Sequence, residues 1–134
     1  MKKLITKISK NFFFEEFSCP CCGLNNISDE LVQALQELRD KLLLPIKVNS
    51  GTRCQDRNAA IGGVPKSLHL VGRAADIFVI GMNPDQIVKS ALEIDAFRNS
   101  GIGLYKSYVH LDVGRKKPAR WGDLPKLKTI ERKK

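Results

Sequence analysis

Residues 74–80 read Ala-Ala-Asp-Ile-Phe-Val-Ile, an apolar run of strand length with one carboxylate inside it. Side chains alternate across a strand. Ala75, Ile77 and Val79 therefore share one face, and Asp76 lies on the other beside Ala74 and Phe78. A buried strand tolerates such an Asp only where the carboxylate is paired or bound to a metal. Whatever this chain folds into must bring a partner to Asp76. Residues 108–113, Tyr-Val-His-Leu-Asp-Val, divide the same way, with Val109, Leu111 and Val113 on one face and Tyr108, His110 and Asp112 on the other. If these two strands are neighbours, one side is core and the opposite side carries Asp76 and His110. The chain's other histidine, His69, precedes Asp76 by seven residues, with Gly72 between them to allow a reversal. Two neutral imidazoles and a carboxylate suit zinc, giving three protein ligands and an open fourth position for water. Zinc there lowers the pKa of water and polarises a carbonyl. The expected cofactor is one catalytic Zn2+ held by His69, Asp76 and His110.

The remaining pattern supplies a scaffold. At 134 residues the chain fits a single domain spanning 1–134 with one core. Ser28 to Leu42 is the clearest helix: Ser28 caps it, Asp29 and Glu30 sit at the positive end of the dipole, and Leu31, Ala34, Leu35, Leu38 and Leu42 form one stripe. Pro45 stops it. Ile46–Ser50 alternates as a strand, and residues 56–61 form a helical turn closed by Gly62-Gly63. Asn83-Pro84-Asp85-Gln86 starts a second helix that runs to about Ile94. Gly101–Leu104 and Tyr108–Val113 read as a hairpin around Lys106-Ser107. Phe12, Phe13, Phe14 and Phe17 anchor the N-terminal arm, where Asn11 is placed to cap a short helix. After Gly114 the chain is basic and broken by Pro118, Gly122 and Pro125; Trp121 docks its first part, and from about residue 126 it is expected to be disordered.

Four cysteines, Cys19, Cys21, Cys22 and Cys54, leave three readings open: a second, structural zinc, a disulfide tying Cys54 to the Cys-Pro-Cys-Cys-Gly knuckle, or free buried thiols.

The net charge of +9 belongs to the ends. Residues 1–10 carry four Lys and no acid, and residues 115–134 carry nine Lys or Arg against Asp123 and Glu131. Basic ends suit a polyanion such as an anionic cell wall, or serve only as solvated tails. Few aromatics interleave the basic tail, so nucleic acid ranks last among the partners. No run approaches the ~18 apolar residues of a membrane span. Lys7 and Lys10 interrupt the N-terminal apolar residues, so no signal peptide is expected and the product stays in the cytoplasm where it is made or leaves by another route.

Ser67-x-His69-x-x-Gly72-x-Ala74-x-Asp76, followed by a strand carrying Val109-His110-Leu111-Asp112, resembles the zinc D-Ala-D-Ala carboxypeptidase family. That family includes vancomycin-resistance D,D-dipeptidases and phage endolysin endopeptidases, and its fold is shared by the hedgehog signalling domain. The resemblance extends to the Asn-Phe…Glu-Phe-x-Cys opening, to Val48-Asn49-Ser50-Gly51-Thr52-Arg53, and to the Arg and Trp121 that follow His110. It implies an α+β fold with a small, mainly antiparallel sheet, helices on one face and zinc on the other. It implies hydrolysis of peptidoglycan stem-peptide bonds near D-amino acids, by a D,D-carboxypeptidase or a phage-type endopeptidase acting on the cell wall. The metal ligands correspond to His69, Asp76 and His110. Arg53 corresponds to the arginine that holds substrate and steadies charge at the scissile carbonyl, and Ser67, Tyr105 and Trp121 would contact substrate. Many members place a Glu or Asp three residues before the last histidine as general base; here that position is Ser107. Asp112 is the nearest replacement, with orientation of a ligand, or pairing with Arg73 or Arg115, as its alternative role. If no base is present, the domain binds peptidoglycan without cleaving it. The expected partners are a peptidoglycan peptide and an anionic cell wall, the expected state is a monomer, and a phage or prophage origin fits the missing export signal.

Overall fold

A computed structural model describes residues 4–132. It is an α+β fold built on a mixed five-stranded sheet in the order β1-β2-β4-β3-β5. The strands are β1 (Lys47–Ser50), β2 (Ala74–Phe78), β3 (Gly101–Leu104), β4 (Val109–Asp112) and β5 (Ala119–Gly122). All neighbours are antiparallel except β3 and β5. The central pairing is the one that the alternation requires: in β2 and β4, Ala75 lies opposite Leu111 and Asp76 opposite His110.

The apolar face of these strands is sealed by helices. Ala75, Ile77, Val109, Leu111 and Val113 are fully buried there. Above them lie α1 (Asp29–Leu42), α3 (Pro84–Ala91), α4 (Asp95–Arg98) and α5 (Leu124–Arg132). The Ser28 hydroxyl accepts the Leu31 N–H and caps α1, whose Leu31, Leu35 and Leu38 enter the core. In α3 the Gln86 side chain reaches back to the Asn83 N–H at 2.9 Å. The chain leaves α3 at Ala91 rather than continuing to Ile94, because Leu92 and Ile94 turn inward and α4 begins. Asn11 does not cap the first helical turn, Phe14–Phe17; it pairs with Gln36 of α1, and Glu16 binds the Phe13 N–H instead. Phe12 and Phe17 are buried and tie the arm to the core, as their clustering implies.

Two C-terminal elements differ from the expected tail. Residues 119–122 add a parallel edge strand to β3, and Leu124–Arg132 form α5 rather than a disordered segment. The cause is a single apolar stripe. Leu127 is buried in the core and Ile130 packs beside it, which gives this short basic helix a docking face against α3. Residues 133–134 lie outside the described range.

The opposite face of the sheet is left to a different set of residues. It holds Asp76, His110 and Asp112, and over it run the Gly51–Cys54 loop, α2 (Gln55–Ala60) and a 3-10 helix, Leu68–Val71.

Candidate metal centre and cleft

His69 is delivered by the 3-10 helix. The Ser67 hydroxyl caps that helix by accepting the His69 N–H at 3.2 Å. Gly72 ends it with φ +70°, and a side chain there would collide with the Asn26 carbonyl, so this reversal requires glycine. The turn returns the chain into β2 and sets His69 over Asp76.

His69 Nδ1 lies 2.7 Å from the Gly51 carbonyl oxygen. A carbonyl only accepts, so Nδ1 carries the proton and Nε2 offers a lone pair. Nε2 faces Asp76 Oδ1 at 3.3 Å. On the other side, His110 Nε2 lies 2.7 Å from Asp112 Oδ2, and His110 Nδ1 faces the same Asp76 Oδ1 at 3.1 Å. Asp112 is an ionised acceptor, so Nε2 carries the His110 proton and Nδ1 is left as the free donor atom. With both imidazoles neutral, two nitrogen lone pairs and a carboxylate oxygen point at one another. That arrangement is repulsive unless a cation lies among them. Ligand atoms about 2.0–2.1 Å from a tetrahedral zinc are about 3.3 Å apart, which the two separations match. The donor set therefore fits a zinc-class ion, and His69, Asp76 and His110 form one of two metal-competent clusters among the described residues.

In the metal-free cluster the charges balance internally. Burial alone would raise Asp76, but hydrogen bonds and charge from His110 and His69 outweigh it and hold the carboxyl well below its usual range. Burial likewise opposes ionisation of Asp112, yet hydrogen bonds from His110, Arg115 and Ser100 keep it anionic. Burial would lower His110; its bonds to Asp112 and Asp76 prevail and raise it. In the absence of metal, a proton on His110 can relieve the confrontation at Nδ1.

Asp112 does not open into the cleft. It is fully buried behind His110 and is surrounded by donors: Ser100 Oγ at 2.5 Å, Gly101 N at 2.7 Å, and Arg115 Nε and Nη2 at 3.0 Å. Of its alternative roles, it makes the contacts to both His110 and Arg115. Arg73 instead donates to the Val113 and Gly114 carbonyls. Ser107, in the position of the missing base, is exposed on the hairpin turn.

Arg53 is more enclosed than a simple substrate clamp. Its Nη2 donates to Asp76 Oδ2 at 3.0 Å, its Nε to Ser50 Oγ, and its Nη1 to Asn58 Oδ1. The guanidinium thus holds the carboxylate oxygen that the histidines leave free.

Arg53, His69, Asp76 and His110 line a cleft of about 660 Å³. Ser67, Tyr105 and Trp121 are all on its wall, with Tyr108, Lys66 and Arg115. Trp121 lies 4.8 Å from the His110 ring and donates to the Tyr105 hydroxyl, which sits on a ring stacked on Tyr108. Arg115 lies over the indole at 5.1 Å. Gly103 makes this wall possible, because a side chain there would run into the indole nitrogen. Sequence reasoning set Tyr108 on the His110 face without giving it a role, and it did not place Asn58 or Ser100 here. Tyr108 shares the His110 face by alternation, which was a usable signal; Asn58 and Ser100 carried none.

The pattern of the Peptidase M15 family matches residues 10–112, a span that includes His69, Asp76 and His110. The chain belongs to the Peptidase M15 family. Its motif resemblance to the zinc D-Ala-D-Ala carboxypeptidases is borne out at family level. Curated relatives from Escherichia coli and Shigella flexneri, each named peptidoglycan L,D-endopeptidase MepK, are 31% identical to it over 119 residues. The match covers 82% of this chain and 61% of each relative, so this M15 chain spans about three fifths of their length. The crystal structure of Serratia marcescens L-Ala D-Glu endopeptidase ChiX is similar with a TM-score of 0.48 and 18% identity, over 66% of this chain and 81% of that one. Among the described residues of this M15 chain, no helix is long and apolar enough to cross a membrane.

Proposed function

We propose that this M15 chain is a zinc-dependent peptidoglycan peptidase that cuts within stem peptides, at an L,D bond, rather than removing a terminal D-alanine. The observation that carries the proposal is the convergence of His69 Nε2, His110 Nδ1 and Asp76 Oδ1, each with a lone pair aimed at the others. The L,D choice is taken from the name of the curated relatives. Bound zinc supplies Lewis acidity for attack of water on an amide carbonyl. The protein does the rest. The Gly51 carbonyl and Asp112 fix the tautomers and orientations of the two histidines. Arg53 screens Asp76 and keeps a fixed cation at the cleft wall, where charge develops on the carbonyl oxygen. Lys66 and Arg115 are exposed on the wall and suit the carboxylates of a stem peptide, while Tyr105, Tyr108 and Trp121 give its apolar parts a surface. In this account Asp112 is a positioning residue.

A second reading rests on one observation. Among the described residues, the cleft wall carries no carboxylate apart from Asp76 to take a proton, which suits a domain that binds stem peptides without cutting them. Digestion of a defined muropeptide, followed by mass spectrometry, separates the two. Cleavage at one internal amide, abolished by a chelator and by His69→Ala, supports the peptidase. Binding with no new amine supports the second reading, and cleavage that survives complete metal removal contradicts the zinc account.

A further inference from the structure

The second metal-competent cluster shares no residue with the first. Cys19, Cys21, Cys22 and Cys54 bring their Sγ atoms within 4.8 Å of one another. Cys19 and Cys21 are 3.6 Å apart, Cys19 and Cys54 3.7 Å, and Cys21 and Cys54 3.1 Å. Four thiolates around a tetrahedral zinc at ~2.3 Å lie ~3.8 Å from each other. A disulfide needs ~2.05 Å and would engage only two of the four sulfurs. Backbone N–H groups already point at two of the sulfurs, Cys54 N at Cys19 Sγ and Arg57 N at Cys54 Sγ, each at 3.4 Å. The knuckle itself is a tight turn. Cys19 N–H binds the Leu24 carbonyl, Gly23 N–H binds the Cys19 carbonyl, and Gly23 takes a φ of +81°.

We propose that these cysteines form a structural tetrathiolate zinc site. Its value lies in what Cys54 adjoins. Thr52 N–H binds the Phe17 carbonyl, and Arg53 N–H binds the His69 carbonyl. Gly51 packs so closely on the Phe17 backbone that a Cβ would come within 2.7 Å of it. The Gly51 carbonyl holds His69, and Arg53 holds Asp76. A metal clipping residues 19–22 to Cys54 therefore clamps the loop that positions two ligands of the cleft metal. Exposed Cys21 and Cys22 give the ion a route in, while buried Cys19 roots the site in the fold.

The test uses the full chain, purified reduced and loaded with zinc, and reads the metal through its own ligands. X-ray absorption at the zinc edge is expected to show sulfur near 2.3 Å mixed with nitrogen and oxygen, at two zinc per chain. The same protein loaded with cobalt(II) is expected to show a thiolate-to-metal charge-transfer band. That band persists in His69→Ala/His110→Ala and disappears in Cys21→Ser/Cys22→Ser. The first double variant still holds one zinc even if the cleft is no peptidase site, so failure here and failure of the peptidase reading are distinguishable. A coordination shell without sulfur, four titratable thiols in the zinc-saturated protein, or a mass two units low from a disulfide would each overturn the proposal. The wild-type absorption measurement needs no variant to fold.

Discussion

Asp112→Asn tests how the site is assembled. Asp112 Oδ1 accepts from Ser100, Gly101 N–H and Arg115, and Oδ2 accepts from His110 and Arg115. The amide must keep its oxygen toward the fixed Gly101 N–H, so its NH2 group faces His110 Nε2. Two donors cannot meet there. His110 responds by moving its proton to Nδ1, the atom meant for the metal. Loss of such an orienting partner weakens metal binding 10–100-fold, about 1.4–2.7 kcal/mol. Fold stability also falls, by about 1–3 kcal/mol for the charge-assisted bonds. The Arg115 share is at the low end, because its side chain is 34% exposed and screened by water. Zinc affinity is read by competition with a chromophoric chelator, and stability by urea denaturation. Ser100→Ala is the control: it removes one donor to Asp112, leaves the tautomer intact and changes zinc affinity less than about 3-fold. Wild-type zinc affinity in Asp112→Asn would refute the positioning argument. If hydrolysis were lost at the same time, Asp112 would be the proton acceptor after all.

Three other outcomes follow from the same geometry. Arg53→Lys keeps the charge but cannot bridge Ser50, Asn58 and Asp76 together, so it should destabilise the fold by about 1–2 kcal/mol and lower kcat more than KM, measured by chemical denaturation and muropeptide turnover. Gly103→Ala should push the chain's one tryptophan off His110, seen as a shift in its fluorescence and a raised KM with the zinc stoichiometry unchanged. The pH dependence of the His110 contribution should reverse between the metal-free and zinc-loaded protein. His110 is raised above 6.5, so its contribution to the metal-free fold is complete below 6.5 and is lost as pH rises through the folded value. Asp76 and Asp112 are lowered below 3.8, so theirs is present above 3.8 and is lost only as pH falls through their folded values. The melting-temperature difference between the metal-free protein and metal-free His110→Gln, in which the cysteine contributions cancel, should then be larger at about pH 5.5 than at about pH 8.5, whereas zinc should stabilise more at the higher pH, because protons compete for His110 Nδ1.

The parts of this molecule that were legible in its sequence are those governed by a period. Alternation in residues 74–80 and 108–113 placed Asp76 and His110 on one face, and the β2–β4 register puts them directly opposite each other. The Leu stripe and Ser28 cap marked α1. What alternation cannot tell is which neighbour a polar side chain turns toward. Asp112 shares the His110 face, but it points behind the imidazole because Ser100, Gly101 and Arg115 supply donors there, and the first two come from the start of the strand before the hairpin turn. The parallel pairing of β5 was hidden for a similar reason. It depends on Gly103 admitting Trp121, a contact with no local signature. In α5 the basic residues outweighed the two apolar positions, Leu127 and Ile130, that hold it down.

The most direct test of the central claim is zinc add-back to metal-free protein, with cleavage of a defined muropeptide followed by mass spectrometry. The account predicts that one internal amide is cut in proportion to occupancy of the His69–Asp76–His110 site, and that His110→Ala gives none at any zinc level. Full cleavage by the metal-free protein, or intact substrate with that site filled, would contradict it.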